Sequence, residues 1–523
     1  MTLSESKKWV RAKRLADQIP ADYPQRVQKA CAAIQAMNLS SVMCPWWLNS
    51  SLSIEEWQGQ LRSRLLGYWL YGSTAFGETL SVHLPGERMR PALPRELLDV
   101  FPEEWKTRVD RASCEEGWLK LCHQKLGQAR HAFKEVCATH EKPMENRLDF
   151  YCLDAPREAG PIHGELREDT LANWLVQRLW AEGVKPVNFA GKDFEAGHSE
   201  EADWHCEANQ IWPAPLQEGF RKPLFRLEGS RLLKEARCQL EKGSGWKAWI
   251  LPEVLQALQA VLIPSKAFPR RIYSSNSMVL SRPLWTWVAR SKGAETTMIW
   301  YSTNTRSVEV EGVDEGSVRT FVWSLDNWKK YYVWDSCDAQ WISDQNGGEA
   351  VICGSIPFVD SGEPIPDIPP KSVAVFDVQP HRDGKLSRLG MGGIYYQSDS
   401  TVQFLQDVVE ACRGACATAV FKRKRDIGRG VHPRYLKTWT GLATESHVIQ
   451  VKPGVAASRV IRQCHAVISA PFTSTALQAA QAGIPSCYYD PSGTLRREQS
   501  GAHGIELIQS PPALRIWLNR VLV

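Results

Sequence analysis

The sequence predicts an α/β fold in which two domains with parallel sheets face a cleft, preceded by a mainly α-helical N-terminal extension. Three observations predict this class. The chain has 523 residues, which is too long for one ordinary domain. Beyond the extension, short apolar segments alternate with segments of helical spacing, as in parallel sheets covered on both faces. A proline-rich stretch at residues 361–372 interrupts the alternation and is the best candidate for an interdomain linker.

The extension comprises residues 1–145, where Trp and Leu recur among charged residues at helical spacing, for example in 54–71. The first α/β domain is expected at 146–365. Its predicted elements are a strand at 149–154, a helix at 171–182, an apolar stretch at 184–190, a helix at 246–262, a strand at 271–277, a helix at 281–293 and a strand at 296–304. Residues 191–245 are polar and irregular, and we interpret them as an inserted excursion.

The second α/β domain is expected at 366–523 and has the clearer pattern. Its predicted strands are 373–378, 417–421, 447–451, 466–469 and 486–489, and its predicted helices are 401–413, 456–464 and 474–482. Two such units in succession favour an enzyme that binds its ligand between the domains.

The composition excludes several classes of protein. Lys and Arg number 63 and Asp and Glu 58, a net charge of +5 that is too small for a dedicated nucleic-acid binder. The 14 cysteines include no CxxC pair or zinc spacing, so no metal is expected. The sequence begins without the apolar core of a signal peptide, and no apolar run approaches the roughly 18 residues of a membrane span. We therefore expect a reduced, cytoplasmic protein without a cofactor.

The strongest chemical pattern is SAPFTSTALQAAQAGIP at residues 469–485. A strand ends at Ser469, and Thr473, Ser474 and Thr475 open the following helix. The N–H groups and positive dipole end of a helix start, with three hydroxyls, suit a phosphate. The alternative is that these residues only cap the helix.

A basic run follows a second strand of the same predicted sheet. It contains Lys422, Lys424 and Arg425, and the His432–Pro433 pair comes soon after. Because the carboxyl ends of parallel strands share one edge, both loops are expected to face one cleft, where cations would neutralise a departing nucleotide. By itself such a run is more often a solvated surface.

The APFTSTA run followed by AGIP resembles the signature of bacterial polysaccharide-biosynthesis proteins named for a Pro-Phe-Thr-Ser motif. YSTN at 301–304 and YYVWD at 331–335 also resemble that family. The wider pattern, a His-Pro pair and then a Ser/Thr pair, is similar to GT-B glycosyltransferases that use CMP-activated sugars, such as sialyltransferases and Kdo transferases. This resemblance implies a GT-B-like fold of two Rossmann-type domains, with His432, Thr473 and Ser474 holding the CMP.

Glycosyl transfer also needs a base for the acceptor hydroxyl. Sialyltransferases of this class resemble one another in an acidic pair followed by Gly, and Asp314-Glu315-Gly316 matches that pattern. The same residues would also form a polar hairpin turn. Asp377, at the end of the first C-terminal strand, is the rival base, or a cap of the turn that follows it.

The acceptor is expected on the N-terminal side of the linker. Only two of the 22 tryptophans, Trp439 and Trp517, lie beyond the linker. Most of the others must be core residues, but an indole face also suits a sugar ring. The predicted acceptor-binding residues are Tyr301, Asn304, Trp328 and Trp334, with Trp323 as a further indole to test.

These patterns together predict a metal-independent glycosyltransferase that moves a CMP-activated acidic sugar, of the Kdo or sialic/nonulosonic type, onto a bacterial surface polysaccharide. Its expected partners are a nucleotide-sugar donor and a glycan or glycolipid acceptor, with peripheral association at the inner membrane or with the polysaccharide assembly machinery, and no nucleic acid. One alternative is an epimerase or hydrolase with the same fold, which would turn over donor without acceptor. Another is a non-catalytic binder of anionic ligands, which would be indifferent to CMP.

Overall fold

The computed structural model describes residues 32–40, 42–71, 92–100, 109–138, 147–191, 193–199, 204–207, 221–275, 282–303, 309–311, 327–380, 398–426 and 431–522. Within these ranges the chain forms two sheets, each built mainly or wholly of parallel strands, with helices packed against them. The predicted fold class, two α/β domains with many helices at the N-terminal end, is confirmed.

The helices before the linker pack on one another and on the first sheet. They are α1 (Ile54–Tyr71), α2 (Arg95–Val100), α3 (Arg111–Ala138), α4 (Leu171–Ala181), α5 (Arg221–Glu241), α6 (Trp246–Leu262), α7 (Leu284–Ser291) and α8 (Ser336–Asn346). Most residues of α6 are buried, because it packs against α3, α5 and α7. The rings of Trp118, Trp246 and Trp249 meet there with centroids 5.5–5.6 Å apart. The N-terminal helices therefore share a hydrophobic core with the first α/β domain.

The first sheet consists of β1 (Phe150–Cys152), β2 (Asn188–Gly191), β3 (Gly197–Ser199), β4 (Trp204–Glu207), β5 (Arg271–Ser275), β6 (Glu295–Ile299), β7 (Lys330–Val333) and β8 (Glu349–Ile352). Their order is β3-β4-β2-β1-β5-β6-β7-β8, and β3 joins antiparallel at the edge of an otherwise parallel sheet. In register, Tyr151 lies opposite Ala190 on one side and Ile272 on the other. The strand order reverses between β1 and β5, which is where α/β sheets bind ligands at their carboxyl edge.

The second sheet consists of β9 (Ser372–Phe376), β10 (Thr418–Lys422), β11 (Val448–Val451), β12 (Ala466–Ser469), β13 (Ser486–Tyr489) and β14 (Glu506–Ile508). Its helices are α9 (Ser398–Gly414), α10 (Pro433–Leu442), α11 (Ala457–Ile461), α12 (Ser474–Gln481) and α13 (Pro511–Val521). The order β11-β10-β9-β12-β13-β14 is the doubly wound 3-2-1-4-5-6 arrangement, and all its pairs are parallel. Its switch point lies between β9 and β12.

The interpretation of residues 191–245 as an irregular excursion is wrong for the residues of this segment that the structure describes. The segment supplies β3, β4 and the 21-residue helix α5. The buried stripe of α5 includes the small residues Gly229 and Ala236, so its hydrophobic pattern is weak. A Cβ at Gly229 would lie 2.5 Å from the Phe133 ring, so glycine allows α5 to approach α3 closely.

Residues 353–371 contain neither helix nor strand and connect the two sheets, and they include the predicted linker except for Ser372, which begins β9. Ion pairs between Asp360 and Arg459 and between Asp169 and Arg462 tie the domains together beside it, at 3.0 and 2.7 Å. None of the described helices is both long and apolar enough to cross a lipid bilayer.

A second connection joins the domains away from the linker. Residues 309–311 leave the first domain and pair with the second: Val310 forms an antiparallel bridge with Leu495. The Arg496 N–H donates to the Glu309 carbonyl at 2.9 Å, and the Glu311 N–H donates to the Thr494 carbonyl at 2.9 Å. We call residues 309–311 the strap.

Candidate functional site

The Pro-Phe-Thr-Ser turn connects β12 to α12 at the switch point of the second sheet. Phe472 has a φ of +60°, which is rare for a bulky side chain and persists only where the surroundings enforce it. Its ring is buried and packs on Tyr488 with centroids 5.5 Å apart. The Tyr488 hydroxyl donates to the Thr473 carbonyl at 3.1 Å. The phenylalanine of the motif thus fixes the direction in which α12 begins.

The hydroxyls of this turn bond mainly to one another. Thr473 is the N-cap of α12, yet its side chain makes no capping hydrogen bond. Its Oγ1 donates to the Ala470 carbonyl at 2.9 Å and lies 3.2 Å from Thr475 Oγ1, which lies 2.8 Å from Ser469 Oγ. The first turn of α12 therefore keeps N–H groups without a side-chain cap, which suits an anionic group.

Ser474 connects the helix start to the other domain. Its Oγ accepts hydrogen bonds from the Thr303 N–H at 3.0 Å and from Thr303 Oγ1 at 3.3 Å. Because a hydroxyl that accepts twice can still donate its own proton, Ser474 can hold Thr303 and bind a ligand oxygen together.

The basic run begins at the end of β10. Lys422 is buried, and burial lowers its pKa to about 8, with Lys424 adding repulsion and Asp360 opposing the shift. Lys424 is exposed and its Nζ lies 5.9 Å from the centroid of the Tyr301 ring in the first domain. Arg425 is also exposed, and its carbonyl accepts from Gln379. Tyr301 and Thr303 thus contact the basic run and the start of α12, respectively.

His432 and Pro433 open α10, the helix that follows β10 in the chain. His432 is the N-cap and is 2% exposed, and Pro433 occupies the first helical position, where its missing N–H costs nothing. Nδ1 of His432 accepts from the Arg434 N–H at 3.2 Å. A neutral His432 therefore carries its proton on Nε2, the nitrogen that can serve as a donor.

Asp377 follows β9 at the switch point and is 6% exposed. Its Oδ2 accepts from the Tyr435 hydroxyl, and its Oδ1 has no hydrogen-bond partner among the described residues. Burial raises the pKa of Asp377, while the Tyr435 hydrogen bond and the charge of Arg423 oppose the shift. This carboxylate joins β9 to α10 and keeps one oxygen for a further donor.

Of the residues predicted to act in the first domain, the structure describes Tyr301, Trp328 and Trp334. Asp314, Glu315, Asn304 and Trp323 lie outside the described residues. Tyr301 is half-buried and stacks on Phe358, with ring centroids 3.8 Å apart.

Trp328 and Trp334 are 1% and 2% exposed and belong to hydrophobic clusters. The guanidinium of Arg282 covers Trp328 at 4.7 Å from its centroid. Because neither ring is open to solvent, their position corrects the prediction that these two indoles form a sugar platform.

One candidate, Asp154, was not predicted from the sequence. Asp154 lies just beyond β1, at the switch point of the first sheet, and accepts from the Ser275 N–H at 2.8 Å and the Ser275 hydroxyl at 3.0 Å. Burial raises the pKa of Asp154 to about 6, and the hydrogen bonds from Ser275 limit the rise. The feature of the sequence that could have indicated Asp154 is its position just after the first short apolar run of an α/β domain.

Comparisons with solved structures give remote likenesses. The O-GlcNAc transferase of Thermobaculum terrenum is 12% identical, with a TM-score of 0.33, covering 100% of this chain and 91% of its own. The UDP-GlcNAc 2-epimerase of Methanocaldococcus jannaschii is 8% identical, with a TM-score of 0.35, covering 72% and 92%. Anabaena Alr3699/HepE, in complex with UDP and glucose, is 10% identical, with a TM-score of 0.34, covering 72% and 89%. Neither activity nor ligand follows from likeness at this level.

No curated protein matches the chain. The model of one family, described as polysaccharide biosynthesis PFTS motif protein, matches residues 235–518, from α5 to the last helix. That span includes the whole second sheet and the turn at Phe472. It covers more than half of the sequence, and the chain belongs to the polysaccharide biosynthesis PFTS motif family.

Proposed function

We propose that the protein is a glycosyltransferase that moves a CMP-activated acidic sugar, of the Kdo or sialic/nonulosonic type, onto a glycan or glycolipid acceptor. One observation carries the proposal. Two elements suited to a phosphate, the basic run and the start of α12, contact Tyr301 and Thr303 on the same loop of the other domain. A nucleotide on the second domain would therefore face the first domain across a narrow boundary. Membership of a polysaccharide-biosynthesis family supports a glycan as the acceptor.

On the donor side, the phosphate of CMP would bind the N–H groups of α12 and the hydroxyl of Ser474. When the bond between the anomeric carbon and the phosphate oxygen breaks, negative charge grows on CMP. Lys422 and His432 would stabilise that charge as cation and hydrogen-bond donor. A monophosphate leaving group stabilised in this way needs no divalent ion at the phosphate.

On the acceptor side, Asp154 is our candidate for the general base. It would take the proton of the acceptor hydroxyl while the oxygen bonds to the anomeric carbon. A pKa of about 6 leaves Asp154 ionised at neutral pH yet more basic than an ordinary aspartate. Asp377 suits this role less, because it is buried in the donor domain and bonded to Tyr435. Asp314 and Glu315 remain predictions.

Asp154 is on the same edge as the loop that contacts the donor domain. It follows β1, whereas Tyr301 and Thr303 follow β6, two strands further along the sheet. Two strand spacings correspond to about 10 Å, so the candidate base and the loop that contacts the donor domain lie near each other on this edge.

A thermal-shift titration with CMP, UMP, UDP and GDP tests the donor. A ligand at about 100 times its Kd adds about 2.7 kcal/mol to the free energy of unfolding, so the preferred nucleotide gives a clear rise in Tm. We expect CMP to stabilise the protein most, and Thr473→Ala combined with Ser474→Ala to abolish the shift. The matched control is Ser486→Ala, which removes a hydroxyl that donates to the Ala476 carbonyl of α12 at 2.9 Å. Stabilisation by UDP but not by CMP would overturn the donor assignment.

Release of CMP from CMP-Kdo and CMP-sialic acid, with and without a polysaccharide extract of the source cells, tests the reaction. We expect release to depend on the extract. Equal release without it would indicate a hydrolase or epimerase, and CMP binding without release would indicate a binding protein.

A further inference from the structure

A group of side chains outside the nucleotide site joins the two domains. Asp335 follows β7 and is the N-cap of α8, with Oδ1 accepting from the Asp338 N–H at 2.9 Å. Its Oδ2 lies 2.7 Å from Nδ1 of His503, which belongs to the second domain. The thiol of Cys337 is close to both, and the three ligand atoms lie within 4.8 Å of one another.

We propose that Asp335, Cys337 and His503 bind a divalent transition-metal ion, with Zn²⁺ as the preferred ion, that fastens the first domain to the second. Carboxylate oxygen, thiolate sulfur and imidazole nitrogen are the three donor types that zinc accepts in proteins. Bond lengths of about 2.0–2.3 Å place tetrahedral ligand atoms about 3.3–3.8 Å apart. The ion would take the place of the proton between His503 and Asp335 and bind the sulfur of Cys337, whose thiol proton is released to solvent, leaving a fourth position for water.

The surroundings of His503 are those of a metal ligand. Its ring is fully buried, and the other ring nitrogen, Nε2, lies 3.8 Å from Oδ1 of Asp338. This distance is too long for a hydrogen bond, but a carboxylate so close to the buried ring favours a cation bound at Nδ1. His503 also has a φ of +51°, as the left-handed C-cap residue of the short 3₁₀ helix Ser500–Ala502. This turn presents the buried ring to Asp335 with Nδ1 at 2.7 Å from Oδ2.

The site differs from ordinary sequence motifs because its ligands come from different domains. Asp335 and Cys337 are two residues apart, but His503 follows 168 residues after Asp335. Spacing alone predicts no metal here. The negative charges of Asp338 and Asp335, after burial itself, contribute to the raised pKa of Tyr488, so the site is near the tyrosine that holds the Thr473 carbonyl.

Titration of chelator-treated full-length protein with Co²⁺ tests the proposal. We expect about one Co²⁺ per chain, visible absorption bands of tetrahedral Co²⁺, a near-ultraviolet charge-transfer band from the thiolate, and displacement by Zn²⁺. Cys337→Ser should lose the charge-transfer band, and His503→Gln should weaken Co²⁺ binding at least about tenfold. The matched control is Cys238→Ser, an exposed cysteine of α5, which should leave the spectrum unchanged.

Asp335→Asn keeps an N-cap residue on α8 and guards against misfolding as the cause of lost binding. We expect it to fold, as judged by its unfolding transition, and to bind Co²⁺ more weakly. Absence of stoichiometric Co²⁺, or an identical spectrum in Cys337→Ser, would overturn the proposal. The titration needs no nucleotide, so its outcome is independent of the donor assignment.

Discussion

The two sheets reverse their strand order in the same way, between β1 and β5 and between β9 and β12, but present different chemistry at these switch points. In the first, Asp154 is held by Ser275 and has a pKa raised to about 6. In the second, Asp377 is buried against Tyr435, with Lys422 at the end of the neighbouring strand. A common topology thus supplies a carboxylate suited to proton transfer on one side and cations suited to a phosphate on the other. The side chains next to the carboxyl ends of the strands therefore determine which chemistry each sheet can support.

The variant with the largest expected effect, Asp154→Asn, separates catalysis from donor binding. Asp154→Asn should lower kcat by about 10²–10⁴-fold and leave the CMP-induced rise in Tm intact, because only the base is lost. Acceptor-dependent CMP release is the measurement. The control is Asp149→Asn, just before the same strand, where the carboxylate accepts from the Val187 N–H at 2.7 Å and is structural. Loss of CMP binding in Asp154→Asn would remove the distinction between the domains.

The second prediction concerns the pH dependence of CMP affinity. Lys422 has a lowered pKa of about 8 in the free protein, and a bound phosphate would favour its charged form. Binding then takes up a proton, so affinity should fall by up to about tenfold per pH unit above pH 8. Lys422→Arg keeps its charge and should remove this limb in a calorimetric titration. A wild-type affinity independent of pH between 7.5 and about 9.5 would contradict the role of Lys422.

The third prediction tests the buried carboxylate of the second sheet. Tyr435→Phe removes the hydroxyl that donates to Asp377 and should lower the free energy of unfolding by about 1–3 kcal/mol. Because the pKa of Asp377 is already raised, the loss should grow as pH rises and the carboxyl ionises. Urea denaturation at several pH values is the measurement. The control is Tyr489→Phe, which removes a hydroxyl that donates to the less buried Asp407 and should lower the free energy of unfolding by less. An equal loss in both variants would show that the burial of Asp377 does not strengthen its hydrogen bond.

The smallest expected effect is a shift in the pH profile of kcat. The wild-type rate should fall below about pH 6, where Asp154 becomes protonated. Ser275→Ala removes one hydrogen bond to the ionised carboxylate, so the pKa should rise and the acid limb should move to higher pH, by less than about one unit. A limb that stays in place would assign the base to another residue.

Most of the fold could be predicted because buried parallel strands are short apolar runs. The strands β9, β10, β12 and β13 coincide with such runs to within about two residues. The helix α10 was not predicted, since its ten residues bury only Tyr435 and Trp439 and the chain before it appears as a charged loop. Local pattern is therefore sufficient where burial is continuous and fails where it is sparse.

The site was predictable only where its parts are adjacent in sequence. Thr473, Ser474 and Thr475 share one turn, so their hydroxyls could be assigned to a helix start. The partner of Asp154 lies 121 residues away at Ser275, and the burial that changes the carboxyl pKa depends on the whole sheet. Burial also explains why the prediction for Trp328 and Trp334 was wrong. Nothing in the local sequence of Trp328 indicates that an arginine covers its ring.

The strap has a mechanical consequence for the cleft. The domains are attached covalently through residues 353–371 and again through the hydrogen bonds of Val310 and its neighbours with residues 494–496. Ion pairs of Asp169 with Arg462 and hydrogen bonds of Thr303 with Ser474 also join the domains. Sliding of one domain past the other would break the bridge of Val310 with Leu495, whereas a rotation can leave it in place. Substrate entry is therefore expected to occur by rotation that breaks the Thr303–Ser474 hydrogen bonds and keeps the strap paired.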